Sequence, residues 1–281
     1  MTKTDTDRSA EQVLRGLVIP ARPAVILDLQ NEVAKDEPDF RQLARIVGSD
    51  VTLSIAVLSL VNSAHFGLNR RIDNIEQAVG VLGLQQLTHL TMAVAMRNAS
   101  SFKNMKLERF WDASDKRAKL MVRLCRGVRS VNPNLAQAMG LFCDVGIPLL
   151  MQRFPEYIET LRLANQESTH SFTELEFERH GMDHARIGAM MARAWGLNDT
   201  LVKAIQHHHN EGAFSDPEIR EPIPQLIAMV LLCDHSIHVY SRMNHNQEWA
   251  KFSDSVAGAL MFSDADIEDW IANLTDQLAG H

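Results

Sequence analysis

The chain has 281 residues, 46% of them hydrophobic and 22% charged. These proportions exclude a disordered or fibrous chain and leave room for two domains or one large one. A formal net charge of -7 excludes a general binder of nucleic acid or of an anionic membrane surface, which needs a basic face.

Three cysteines, Cys125, Cys143 and Cys233, form no CxxC pair and no disulfide framework. They read as buried thiols in a reducing compartment. The opening MTKTDTDRSAEQVL is polar, and the apolar runs are read as broken short of the ~18 residues a membrane span needs. The expectation is a cytoplasmic chain with no membrane partner.

The periodicity is helical from the start. PAVILDLQNEVAK, DFRQLARIVGSD and VTLSIAVLSLVNSAHFGL each repeat apolar residues at i, i+3, i+4 and i+7. Asp50 stands where it can cap the third. Gly67 and Gly83 are placed to end helices, and LTHLTMAVAMRNAS is the next. These predict a bundle of five or six helices over about residues 8–100.

After Phe102 the texture changes. LERFWDASDKRAKLMVRLCRGVRS runs to a break at VNPN. NLAQAMGLFCDVGIPLLMQRF follows, with a stop at Pro155. Then come EYIETLRLANQ, SFTELEFERHG, DHARIGAMMARAWG and NDTLVKAIQHHHN. The polar loop EGAFSDPEIREP leads into IPQLIAMVLLCDHSIHVYSR and two closing helices, the last capped by Ser263 or Asp264. No run has the two-residue period of a half-buried strand. The fold class expected is all-α, with two helical units in series, residues 1–104 and 105–281, and a seam near Ser100–Lys106. The basic run Lys116, Arg117, Lys119, Arg123, Arg126 and Arg129 reads as a solvated helix face.

Twelve histidines sort by setting. His170, His180, His245 and His281 lie in polar surroundings and need no role. Cys143-Asp144, His184, His207-His208-His209 and Asp234 instead fall inside or at the ends of apolar helical segments. An uncompensated buried polar group costs about 2–7 kcal/mol, so such groups on consecutive helices tend to meet. Helical bundles build metal sites from inward side chains on facing helices, and imidazole with carboxylate suits Fe, Mn, Ni or Zn. A hydrogen-bonded network without metal is the other arrangement. Asp234 and His238, four apart in DHSIH, form either a ligand pair or an i,i+4 hydrogen bond. G-x-S-x-G, Walker and G-x-G-x-x-G patterns are absent.

The order of these segments resembles the HDOD family, a regulatory branch of the HD-domain superfamily of metal-dependent phosphohydrolases. The resemblance covers about residues 17–240. It is carried by IPARPAVILDLQNEV, by LARIVGSDVTLSIAVLSLVNSAHFGL with its Asn62-Ser63-Ala64 signature, by IDNIEQAVGVLGLQQLTHL, and by DHARIGAMMARAWGLNDTLVKAIQHHHN. It implies an HD-like helical bundle for the second unit. A catalytic HD domain would carry histidine where this chain has Ala113, and a His-Asp pair where it has Cys143-Asp144. Further positions look retained as His184, as His208 with His207 the alternative, and as Asp234.

The resemblance therefore implies a degenerate or altered metal site of Cys143, Asp144, His184, His208 and Asp234, with Cys143 able to ligate as thiolate. It implies bacterial signal transduction by a catalytically inactive module without a cofactor. Such a module would bind a signalling protein in trans, or a nucleotide or cyclic dinucleotide. Asn62, Arg186 and His207 are the candidate contacts. The alternative is a metal-dependent phosphohydrolase with a reduced site. Asn62, between apolar neighbours, is also expected to bond backbone carbonyls within its unit.

Overall fold

A computed structural model describes residues 17, 19–63, 66–68, 70–99, 102, 105–241 and 246–279. The expected first helix start near residue 8, Ala64 of the signature, His245, His281 and most of the Ser100–Lys106 seam lie outside the described residues. Among those described there is no strand, and the fold is all-α.

The chain divides into two compact units, one of residues 20–103 and one beginning at residue 104. The described residues ahead of Pro20 group with the second unit, which differs from the expected 1–104 span.

The first unit holds α1 (Ala24–Val33), α2 (Phe40–Gly48), α3 (Val51–Val61), α4 (Ile75–Leu82) and α5 (Leu84–Arg97). Polar residues set the starts. Asp50 Oδ1 accepts from the backbone N–H of Thr52 at 2.8 Å and of Leu53 at 3.0 Å, and Asn74 caps α4 in the same way. This satisfies donors that the first helical turn leaves without partners. Gly83, at φ 74°, ends α4 and opens α5 in one residue, a left-handed geometry that L side chains resist. Leu43, Val47, Leu53, Val57, Val61, Val79, Leu87 and Met92 fill the core.

The second unit runs α6 (Glu108–Leu124), α7 (Pro133–Phe142), α8 (Gly146–Arg153), α9 (Tyr157–Ala164), α10 (Phe172–His180), α11 (His184–Ala194) and α12 (Asp199–His207). A 3-10 turn (Glu211–Phe214) precedes α13 (Ile223–Tyr240), α14 (Gln247–Leu260) and α15 (Asp264–Leu278). The expected break at VNPN is sharper than a breaker. Asn132 caps α7 and Pro133 supplies its first residue, where a missing N–H costs nothing. Ser263, not Asp264, caps α15 in a reciprocal capping box with Asp266. Helix α13 is the axis of the unit, buried almost continuously from Ile223 to Cys233 and packed against α6, α12, α14 and α15.

Two helical stretches, Pro133–Arg153 and Ile223–Tyr240, are long and apolar enough to cross a membrane by length and composition alone. This corrects the reading that every apolar run breaks early. In both, 61% of the apolar window is packed inside the fold.

Candidate metal centre

The turn Cys143–Val145 separates α7 from α8 and carries the two residues on which the second unit converges. Backbone proximity puts them there. A Cβ built on Gly140 would lie 2.6 Å from Ala118 Cα, and one on Gly146 only 2.0 Å from the His184 carbonyl oxygen. Glycine at both positions presses the turn against α6 on one side and α11 on the other. The Asp144 side chain caps no helix; α8 starts at Gly146, with Val145 as its N-cap residue and no side-chain cap.

Arg117, on α6 one turn beyond Ala113, occupies one half of the centre. It is 5% exposed, so the reading of this basic run as a solvated face fails at its second member. Its Nε donates to Asp234 Oδ1 at 2.6 Å, its Nη2 to Asp144 Oδ2 at 2.6 Å, and its Nη1 to Cys143 Sγ. The planar guanidinium thus spans three of the groups that the sequence offers as metal donors. Burial opposes its charge, but Asp144 and Asp234 more than compensate and hold the arginine firmly protonated. Burial raises the Cys143 thiol well above its usual range despite Arg117. That disfavours the thiolate a metal would need.

The other half is a cluster of imidazoles around the second oxygen of Asp144. Asp144 Oδ1 lies 3.5 Å from His184 Nε2 and 3.3 Å from His208 Nε2. The two Nε2 atoms are 3.3 Å apart. His184 opens α11 and His208 follows α12 directly. Each presents Nε2 because its other nitrogen is held. His184 Nδ1 sits 2.7 Å from Glu176 Oε2, and His208 Nδ1 donates to the Ile205 carbonyl at 2.7 Å. His209 joins them, with Nδ1 2.7 Å from Glu248 Oε1 and its ring stacked on Phe172. One ligand atom from each of Asp144, His184, His208 and His209 lies within 4.8 Å of all the others.

Fixing Nδ1 on a carboxylate or carbonyl so that Nε2 faces inward is how metal-binding histidines are oriented. The 3.3–3.5 Å separations are close to the edge of a tetrahedron with bonds of ~2.1 Å, the Zn–N and Zn–O length. Asp144, His184 and His208 therefore fit a single metal ion as they stand, and His209 lies within 4.8 Å of them.

Electrostatics point the same way. Burial works against a charged His184, but Glu176 and Asp144 reverse it and lift the imidazole to about 10. Burial and neighbouring His209 push His208 down to about 4. Burial also opposes ionisation of Asp144, yet Arg117 and the two histidines hold its carboxyl well below the usual range. Glu176, fully buried, also accepts from Tyr157 Oη and from the His184 backbone N–H.

The sequence-derived set is therefore split. Asp144, His184 and His208 meet as expected. Cys143 and Asp234 face Arg117 instead, and Asp234 bonds this arginine rather than serving as a ligand beside His238. His209 is the imidazole absent from the set that the sequence suggests. His207, the alternative, is half-exposed, with its Nδ1 3.5 Å from Asn210 Nδ2. Arg186 pairs with Asp183 at 3.1 Å and lies over the Phe177 ring, outside the cluster. Asn62 spends its amide on its own unit: Nδ2 donates to the Leu58 and Ile72 carbonyls, and Oδ1 accepts from Ile72 N–H. His180, expected in polar surroundings, is buried against Phe154 and Tyr157 with Nε2 2.8 Å from Thr160 Oγ1.

Known proteins share parts of this chain. An uncharacterized protein of Treponema pallidum is 25% identical over 221 residues, 78% of this chain and 42% of its own length. YuxH of Bacillus subtilis, also uncharacterized, is 25% identical over 139 residues, 50% of this chain and 34% of its own. The chain spans less than half the length of these curated relatives.

Among solved structures, an HDOD domain protein of unknown function from Geobacter sulfurreducens superposes with a TM-score of 0.69 at 22% identity, covering 99% of this chain and 96% of that one. A candidate phosphohydrolase from Shewanella amazonensis gives 0.68 at 23% identity, covering 96% and 93%. A candidate signal transduction protein from Marinobacter aquaeolei gives 0.69 at 20% identity, covering 98% of this chain and 63% of its own. At these identities the likeness establishes the shared fold. The family model of the HDOD domain matches residues 19–211, and the chain belongs to the HDOD domain family.

Proposed function

We propose that the protein is a regulatory module of bacterial, cytoplasmic signal transduction, catalytically inactive as a phosphohydrolase, acting on a signalling partner in trans. The observation that carries this reading is Arg117. Two-metal phosphoryl chemistry relies on ions that hold substrate oxygens and generate hydroxide. Here a guanidinium, which can do neither of the metal's jobs of ligand exchange and water activation, is bonded to Cys143, Asp144 and Asp234. The site is degenerate in that sense: the carboxylates remain and their cation is covalently part of the chain.

The test is elemental analysis of the purified protein, paired with turnover of bis(p-nitrophenyl) phosphate and of cyclic dinucleotides in the presence of Mn, Fe, Ni or Zn. The expected result is no more than one ion per chain and no turnover above background. Turnover that disappears in His184→Ala would overturn the reading.

A second reading, a mononuclear metal-dependent phosphohydrolase, is favoured by one specific observation, the inward Nε2 atoms of His184 and His208 beside Asp144 Oδ1. These residues with His209 would hold the ion, which would supply Lewis acidity toward a phosphoryl oxygen and an acidified water. On that reading Arg117 keeps Asp144 ionised, and Glu176 and Glu248 orient their imidazoles. The turnover assay separates the two.

A further inference from the structure

Helix α3 of the first unit carries no charge on any side. From Val51 to Asn69 the sequence has no Asp, Glu, Lys or Arg. Leu53, Val57 and Val61 face the core. The outer side of the same helix presents Val51 at 74% exposure and, one turn on, Ile55 at 60%. A helix on a protein surface normally turns charged and polar residues outward, and one without them is normally buried all round. The neighbouring helices follow that rule: α2 exposes Arg41 and Arg45, and α4 exposes Glu76 and Gln77. On α3 two large apolar side chains take the place of those charges.

Both ends of this face are basic. At the C-terminal end, Asn62 holds both backbone groups of Ile72, at 2.7 and 2.8 Å. That brings the exposed Arg70 and Arg71 to the last turn of α3. At the N-terminal end, Ser54 Oγ donates to the Val47 carbonyl at 3.1 Å. That sets the last turn of α2, with exposed Arg45, beside the first turns of α3. Arg45, Arg70 and Arg71 form no ion pair among the described residues. The carboxylates nearby are largely engaged: Asp50 caps α3, and Glu76 lies 3.4 Å from Arg41. Asp73 offsets one of the two charges beside it in sequence. By helical position, exposed Thr52 and Ser59 border the apolar strip on one side and Ser54 on the other, so it has the width of one helix seam.

We infer that the outer face of α3 docks an acidic amphipathic helix of a partner protein. The partner's apolar stripe covers Val51 and Ile55, and its carboxylates meet Arg45 at one end and Arg70 with Arg71 at the other. Helical anchors read one turn apart are a recurring mode of peptide recognition. The desolvated apolar centre supplies most of the affinity, while opposite charges at the rim fix register and speed encounter. The inference rests on the regulatory reading, whose partner it gives a surface and a charge. Its readout is binding at the first unit, and that of the regulatory reading is turnover at the second, so either can fail without the other.

The test uses the full chain and two synthetic helical peptides that share one leucine stripe, the first with glutamates at both ends and the second with lysines. Binding is followed by fluorescence anisotropy. The glutamate peptide should saturate, and the lysine peptide should bind roughly tenfold more weakly or worse. Ile55→Ser, and separately Arg70→Glu combined with Arg71→Glu, should each weaken the glutamate peptide by roughly tenfold. Ile158→Ser, at a residue of the second unit that is 64% exposed, should leave its affinity unchanged. Urea midpoints matching the parent's establish that the variants are folded, as expected for exposed positions. Absence of saturation, equal binding of the two peptides, or undiminished affinity in Ile55→Ser would each overturn the inference. Sedimentation velocity of the chain alone and flotation with phosphatidylglycerol vesicles test the other occupants. A dimer or a vesicle-bound chain that Ile55→Ser disrupts would overturn it in favour of a self-contact or a membrane surface.

Discussion

Arg117 decides the chemistry of the centre by charge and reach. Asp144 and Asp234 are carboxylates whose counter-charge is its guanidinium, bonded to each at 2.6 Å. Removing one partner of a buried pair typically costs about 3–5 kcal/mol, because the remaining charge is stranded. Arg117→Met should therefore lower unfolding free energy by roughly that much in urea titration. Arg117→Lys should recover only part of it, since an ammonium lacks the planar fork. A loss below about 1 kcal/mol for the methionine variant, the range of a surface pair, would contradict the assignment. In the sequence the residue is hidden among Lys116, Lys119 and Arg123, yet its position carries a signal. Ser114, Arg117, Ala118, Met121 and Leu124 form one buried stripe of α6, and a cation on an apolar stripe needs an anion. Glu176 on α10 is hidden among charged neighbours in the same way. His235 offers a second test at this scale. Its ring stacks on Trp249 at 4.5 Å, and burial with nearby His238 lowers it to about 4. The unfolded chain takes up this proton near pH ~6.5, while the folded one resists until about 4. This contribution to stability is present above ~6.5 and is lost as pH falls toward 4. His235→Phe, which keeps the stack, should narrow the difference between urea midpoints measured at pH 7 and pH 5. An unchanged pH dependence would exclude His235 as its source.

Helices bring these residues together through the spacing that glycine permits. Gly146 and Gly188 face each other where α8 meets α11. A Cβ on Gly146 would enter contact with the His184 carbonyl at 2.0 Å and the Gly188 backbone N at 2.8 Å. These neighbours are backbone and cannot rotate away. Gly146→Ala should cost at least the ~1–3 kcal/mol of an overpacked core and should separate Asp144 from His184. Gly80, inside α4, is the matched control, because a Cβ there would meet nothing within 4 Å. Gly80→Ala should stabilise by up to ~1 kcal/mol through helix propensity. Thermal unfolding of the two variants checks the pair, and equal melting temperatures would refute it. Helix positions and caps were legible because they are local: Asp50 meets its own first turn, and periodicity marks each buried face. The glycine contacts were not legible, because they depend on which helices become neighbours.

At the scale of the whole molecule, motif order was legible along nearly the full chain and identified the family, while the ligand set was only half readable. Sequence position alone cannot tell which donors on separate helices and turns point at a common vertex, and it offered Cys143 and Asp234 equally with His184 and His208. Stability provides a global measurement of the difference. A ligand that binds only the folded state adds RT ln(1 + [L]/Kd), about 2.7 kcal/mol at a hundredfold excess over Kd. Zn or Mn added to metal-free protein should therefore raise the melting temperature in a concentration-dependent way. His184→Ala, His208→Ala and His209→Ala should each abolish or sharply reduce the increment, since each removes a donor from a cluster of four. Glu248→Gln should reduce it by a smaller amount, because loss of an orienting partner typically costs about 10–100-fold in metal affinity. Cys143→Ser should leave the increment intact, since Cys143 Sγ faces Arg117 rather than the imidazoles. An increment that depends on Cys143 and survives His209→Ala would restore the ligand set suggested by sequence and remove His209 from the centre.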